Sequence, residues 1–126
     1  MMRLDIDQVW DEFRGRAAPV MAPEDDSPED IRSACRADRA WLFGDTDSYL
    51  VLQYQLRPGT RRMQLLIWLF VSRGAAGCIA RHSGWLRQLA QKLGASRVLF
   101  RTRRRGFERA LPSDWKLDHM SWSLEV

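Results

Sequence analysis

Met63-Gln64-Leu65-Leu66-Ile67-Trp68-Leu69-Phe70-Val71 is apolar at every position but one. A half-exposed strand alternates polar with apolar, so this run reads as a central strand covered on both faces. The small-residue loop Ser72-Arg73-Gly74-Ala75-Ala76-Gly77 follows it. From about Cys78 to Leu93 the spacing predicts a helix, with Ile79, Leu86, Leu89, Ala90 and Leu93 on one face and Gly94 placed to end it. Ser96 to Thr102 then reads as a strand. Strand, helix and strand in this order make a βαβ unit, whose two strands run parallel through a right-handed crossover.

Working toward the N-terminus, Arg57-Pro58-Gly59-Thr60 carries proline and glycine where a tight turn wants them. It would join the central run to a strand over Tyr49 to Leu56. The polar turn Gly44 to Ser48 leads back to a short strand over Ala40 to Phe43. Before these, Ser27-Pro28-Glu29-Asp30 marks a helix start: a serine cap, proline in the first turn, then acids that complement the helix dipole. Ile31, Ala34 and Cys35 face its core side, and the helix stops near Asp38. Ile6, Val9, Trp10, Phe13 and Ala17 recur at helical spacing, with Asp5 or Asp7 as a cap. Beyond the βαβ unit, Arg104 to Leu111 reads as a short helix and Trp115 to Val126 as one last strand. The expectation is one α/β domain over residues 1–126, a mixed antiparallel and parallel sheet with helices on both faces.

Composition narrows the class. Hydrophobic residues make up 45% of the 126, enough for one core. No apolar run approaches the roughly 18 residues of a membrane span, and Met1 to Asp5 has no apolar signal region. Cys35 and Cys78 are far apart and read as reduced core residues. Two histidines and two separated cysteines lack metal-ligand spacing, so no metal is expected. Charge is unevenly placed. Residues 1–47 hold twelve acids and six arginines, a net −6; residues 48–126 hold four acids and fourteen bases, a net +10. Such polarity suits a protein that lies against other charged surfaces.

The densest basic feature is Arg97, Arg101, Arg103, Arg104, Arg105 and Arg109, opposed only by Glu108. On a regular strand Arg97, Arg101 and Arg103 share a face. The stripe reads as a solvated face, as an interface to acidic protein, or as a phosphate-binding patch for DNA or RNA. Of the six tryptophans, Trp10, Trp41, Trp68 and Trp85 read as core, and Trp115 and Trp122 as partly exposed.

The element order resembles the GNAT N-acetyltransferase fold. The texture is similar to small GNAT-like proteins of short-tailed bacteriophages, on Leu66-Ile67-Trp68, Leu89-Ala90-Gln91-Lys92-Leu93-Gly94-Ala95, Arg104-Arg105-Gly106-Phe107-Glu108-Arg109 and the terminal strand. In that family the helix after the fourth strand grips the pyrophosphate of acetyl-CoA through a loop Gln/Arg-x-x-Gly-x-Gly/Ala, whose glycines let backbone N–H groups approach. The matching residues here are Arg73, Gly74, Ala75, Ala76, Gly77 and Cys78; alanine stands at the required glycine and cysteine at the last small position. They would be the cofactor-binding set if acetyl-CoA binds.

No catalytic residue carries over. Tyr49 and Tyr54 precede the loop, whereas the family's acid follows it, and neither His82 nor His119 has a nucleophile and orienting acid placed by the sequence. The resemblance therefore implies a non-catalytic structural or accessory protein of a virion, made in the host cytoplasm, without cofactor. It would bind other virion proteins, as multiple copies in a symmetric assembly, through its basic and acidic halves. The alternatives are an active acetyl-CoA-dependent acetyltransferase and a nucleic-acid-associated basic protein.

Overall fold

A computed structural model of the chain describes residues 1–21, 26–72, 78–101, 115–118 and 121–126. The elements are β1 (Met2–Leu4), α1 (Trp10–Ala17) running into one 3₁₀ turn (Ala18–Val20), α2 (Pro28–Arg36), β2 (Trp41–Gly44), β3 (Ser48–Leu56), β4 (Met63–Ser72), α3 (Cys78–Arg81), α4 (Ser83–Leu93), β5 (Ala95–Arg101), β6 (Trp115–Asp118) and β7 (Ser121–Glu125). Among the described residues the strands are ordered β1-β2-β3-β4-β5-β7-β6, a mixed α/β architecture as the pattern predicts. β4 and β5 are parallel, with Leu65 opposite Val98 and Ile67 opposite Phe100. The β1/β2, β2/β3, β5/β7 and β6/β7 pairs are antiparallel.

Two compact units divide the chain. One holds Met1–Gln53 with the end of β4 from Leu69; the other holds Tyr54–Trp68 with the chain from α3 onward. In the first, α2 starts where the sequence says. Ser27 Oγ accepts from the Asp30 N–H at 3.3 Å, and an Asp30 carboxylate oxygen accepts from the Ser27 N–H at 2.9 Å. This reciprocal box uses aspartate where glutamate is more usual. Phe13, Ala17, Ile31, Leu42, Leu50, Val51 and Leu52 are buried in this unit. Phe13 meets Tyr49 edge-on at 5.6 Å, a geometry that the ring quadrupoles favour. Burying a side chain of that size contributes about 2–3 kcal/mol.

In the second unit Leu65, Ile67, Ile79, Leu86, Ala90, Val98, Leu99, Phe100 and Leu124 are buried. Gly94 ends α4 in the left-handed region at φ 73°, and its N–H reaches the Ala90 and Gln91 carbonyls. Ala95 opens β5 directly, so the helix reverses into the parallel strand with one residue to spare.

Four expectations are corrected. β1 was absent from the sequence reading: three residues are too few to show a period, and pairing with β2 alone makes them a strand. The helix expected over Cys78 to Leu93 is broken at His82, whose N–H bonds the Ile79 carbonyl three residues back; Ser83 and Gly84, weak helix formers, follow. The last strand is two, because Asp118 lies opposite Ser121 and only His119 and Met120 intervene. Trp10, Trp41, Trp68 and Trp85 are half-buried, as large rings with a polar edge often are. The helix expected over Arg104 to Leu111 lies outside the described residues.

Candidate functional site

Arg73, Gly74, Ala75, Ala76 and Gly77 lie outside the described residues, as do Arg103, Arg104, Arg105 and Arg109. Cys78 opens α3 and Arg101 closes β5. Arg97 is described in full. It sits opposite Gln64 in the parallel pair, just past a register irregularity between Met63 and Gln64. Its Nε–H donates to Gln64 Oε1 at 2.7 Å. The first member of the predicted stripe thus has a partner inside its own unit, on the neighbouring strand.

The tyrosines are placed structurally. Tyr49 is buried against Phe13. The Tyr54 hydroxyl donates to the Leu93 carbonyl at 2.6 Å, satisfying a carbonyl that the end of α4 leaves without a helical partner. His82 lies at the α3–α4 junction; His119 lies outside the described residues.

The first unit holds a cleft of about 550 Å³, lined by Arg3, Asp5, Asp7, Cys35, Arg36 and Trp41 among others. Asp7 is its doubly paired carboxylate. Asp7 accepts from Arg36 Nη2 and Arg32 Nε, both at 2.8 Å. The bond from Arg36, then that from Arg32, lowers the Asp7 carboxyl below its ordinary value of 3.8. The Arg32 guanidinium also stacks 4.4 Å over the Trp10 ring. Burial pushes the Cys35 thiol up to about 11, so it is a neutral thiol at pH 7. A carboxylate of lowered basicity and a protonated thiol supply neither a base nor a nucleophile. The cluster fastens the turn before α1 to α2.

A second surface lies at one end of the second unit. β3 finishes at Leu56. Arg57-Pro58-Gly59-Thr60 then turns with Gly59 at φ 74° and the Thr60 N–H bonded to the Arg57 carbonyl at 3.1 Å. Positive φ at the third position is the type II geometry that needs glycine. The Arg57 N–H meets the Arg62 carbonyl at 2.7 Å and closes the hairpin. The Arg57 guanidinium reaches Glu125 at 3.2 Å and Ser96 Oγ at 3.3 Å. The Val126 N–H bonds the Ser96 carbonyl at 3.0 Å. With the Tyr54–Leu93 bond, these contacts bring the ends of β3, α4 and β7 together.

Three aliphatic side chains stay in solvent there: Leu56 at 58%, Leu93 at 44% and Val126 at 38% exposure. Arg61, Arg62 and Lys92 are also exposed and enter no salt bridge among the described residues. This end of the unit therefore exposes aliphatic and basic residues together. Sequence reasoning missed it, and assigned Leu93 to the core, because the three residues are joined only by non-local pairing. The one legible signal was a basic hairpin, Arg57 with Arg61 and Arg62.

Comparison of the chain with protein-family models, with characterised proteins and with solved structures finds no match.

Proposed function

We propose that this chain is a non-catalytic binding protein, a structural or accessory component of a phage particle, and that it holds other particle proteins through its basic half. The observation that carries the binding reading is the end of the second unit, where Leu56, Leu93 and Val126 stand exposed among Arg61, Arg62 and Lys92. Apolar groups inside a charged rim are the composition of a protein-docking surface. A phosphate backbone would gain from the cations and nothing from the aliphatic groups, so the patch favours protein over nucleic acid. The particle assignment rests on the resemblance. The non-catalytic assignment rests on Ala76, which stands where the acetyl-CoA loop of the resembled family needs glycine.

Mass spectrometry of purified particles from the source tests this reading. Peptides of this chain should be recovered at constant stoichiometry, and the variant Arg61→Glu/Arg62→Glu should be depleted at least tenfold. Absence of the chain from particles, or equal incorporation of the variant, contradicts it.

A further inference from the structure

We infer that the partner taken by the basic, apolar end is a second copy of this chain, held by its acidic first unit so that copies join head to tail. The inference rests on the reading of that end as a protein-binding surface.

Charge argues for it first. Of the six arginines in residues 1–47, five are already spent within the unit: Arg3 on Asp38, Arg14 on Glu29, Arg16 on Glu12, and Arg32 and Arg36 on Asp7. Six cations face twelve acids over that stretch, so the surplus is negative. Asp5, Asp11 and Asp47 are exposed and enter no salt bridge among the described residues. At the other surface Arg61, Arg62 and Lys92 are open, with Glu125 already held by Arg57. Arg39 is the one arginine of the first unit in no salt bridge among the described residues, so open acids outnumber open cations there, and cations alone are open at the basic end.

Shape argues for it second. Met2 is 71% exposed on β1 and sits opposite Gly44, the residue that opens the turn Asp45-Thr46-Asp47. Asp45 is committed to that turn: its Oδ1 accepts from the Asp47 and Ser48 N–H groups. Asp47 is left at the surface. Met2 with this acidic turn is an apolar group bordered by negative charge, the complement of aliphatic groups bordered by arginine. A two-fold contact between basic ends would set like charges against each other. A heterologous contact sets opposite charges together and leaves every assembly with one open end of each kind, so it propagates or closes into a ring.

Sedimentation velocity on the full chain tests this. The wild type should form species larger than a monomer at about 50 mM salt and dissociate at about 500 mM, where the screening length shrinks roughly threefold. Two variants isolate the ends. Arg61→Glu/Arg62→Glu disables the basic end, and Met2→Glu/Asp47→Lys disables the acidic edge while sparing Asp45. Each alone should sediment as a monomer. Mixed, they retain one productive contact and should give a 1:1 dimer and nothing larger. A wild type that stays monomeric at low salt up to millimolar concentration overturns the inference, whatever the variants do. So does a mixture that stays monomeric, or either variant assembling alone. If the wild type is monomeric yet Arg61→Glu/Arg62→Glu is depleted from particles, the self-association fails and the binding reading stands.

Discussion

Arg97 donates from Nε to Gln64 Oε1 across 2.7 Å, and the amide that accepts is fully buried. The other end of that amide, Gln64 Nε2, has no hydrogen-bond partner among the described residues. The pair lies just past the register irregularity between Met63 and Gln64, on residues that face each other across β4 and β5. A buried polar group costs little when satisfied and much when stranded. Arg97→Ala should therefore destabilise by about 1–3 kcal/mol, by leaving Gln64 Oε1 without its donor. Gln64→Leu/Arg97→Ala removes both partners and should cost less than Gln64→Leu and Arg97→Ala together, by at least about 0.5 kcal/mol. Urea unfolding of the four proteins measures this, and strict additivity would contradict it.

Ser27 closes the first turn of α2 through its reciprocal bonds with Asp30. Ser27→Ala removes the acceptor for the Asp30 N–H and should cost about 1 kcal/mol. Ser27→Thr should recover most of the loss. Equal stability of the alanine variant would show that the cap contributes nothing.

Asp7 gives an acid-dependent component of stability. Its carboxyl is held below 3.8 by Arg36 first and Arg32 second, so the native state holds its proton less tightly than the unfolded chain. The contribution is fully present above about pH 4 and is lost as pH falls through the lowered native value. Stability measured from pH 7 to pH 2 should fall on that limb, and the Asp7→Asn variant should show a shallower fall. Parallel curves for the two proteins would contradict the assignment.

Burial raises the Cys35 thiol from 9.0 to about 11. The native state then keeps the thiol proton longer than the unfolded chain, so its contribution is present below pH 9 and is lost as pH rises through the native value. Only about one thiol in a thousand is ionised at pH 8 at such a value, and the thiolate is the nucleophile. In a Cys78→Ser background, iodoacetamide should label Cys35 at least tenfold more slowly in the folded protein than in urea. Equal rates would contradict the burial.

Gly94 ends α4 at φ 73° with open space where a Cβ would lie. Gly94→Ala meets no clash there and carries only the left-handed backbone penalty, about 1 kcal/mol by thermal unfolding. A neutral or stabilising change would mean that the helix end relaxes.

Local chemistry was legible in the sequence. Ser27 with Pro28, the turn at Pro58-Gly59, and Gly94 each act through their own residue type, and each lies where the residues place it. The run from Met63 gave the buried strand, because burial on both faces removes alternation. Features made by pairing were hidden. Met2–Leu4 is a strand only because β2 is beside it. Residues 115–126 contain no glycine or proline to announce that the chain turns back at Asp118. Gln64 interrupts an apolar run, but nothing local says that Arg97, 33 residues on, is its partner. The exposed end of the second unit was hidden for the same reason, since Leu56, Leu93 and Val126 each close an element and those ends come together only through non-local bonds. Residues 73–77 and most of the arginine cluster lie outside the described residues, so the basic end at Arg57 to Arg62 is what the structure adds.

The measurement that bears most directly on the proposed binding role without catalysis is thermal unfolding with and without millimolar acetyl-CoA or CoA. A ligand that binds only the native state must raise the midpoint. Superimposable curves are expected. A rise of several degrees that Arg73→Ala abolishes would contradict it and assign the segment after β4 to a working coenzyme site.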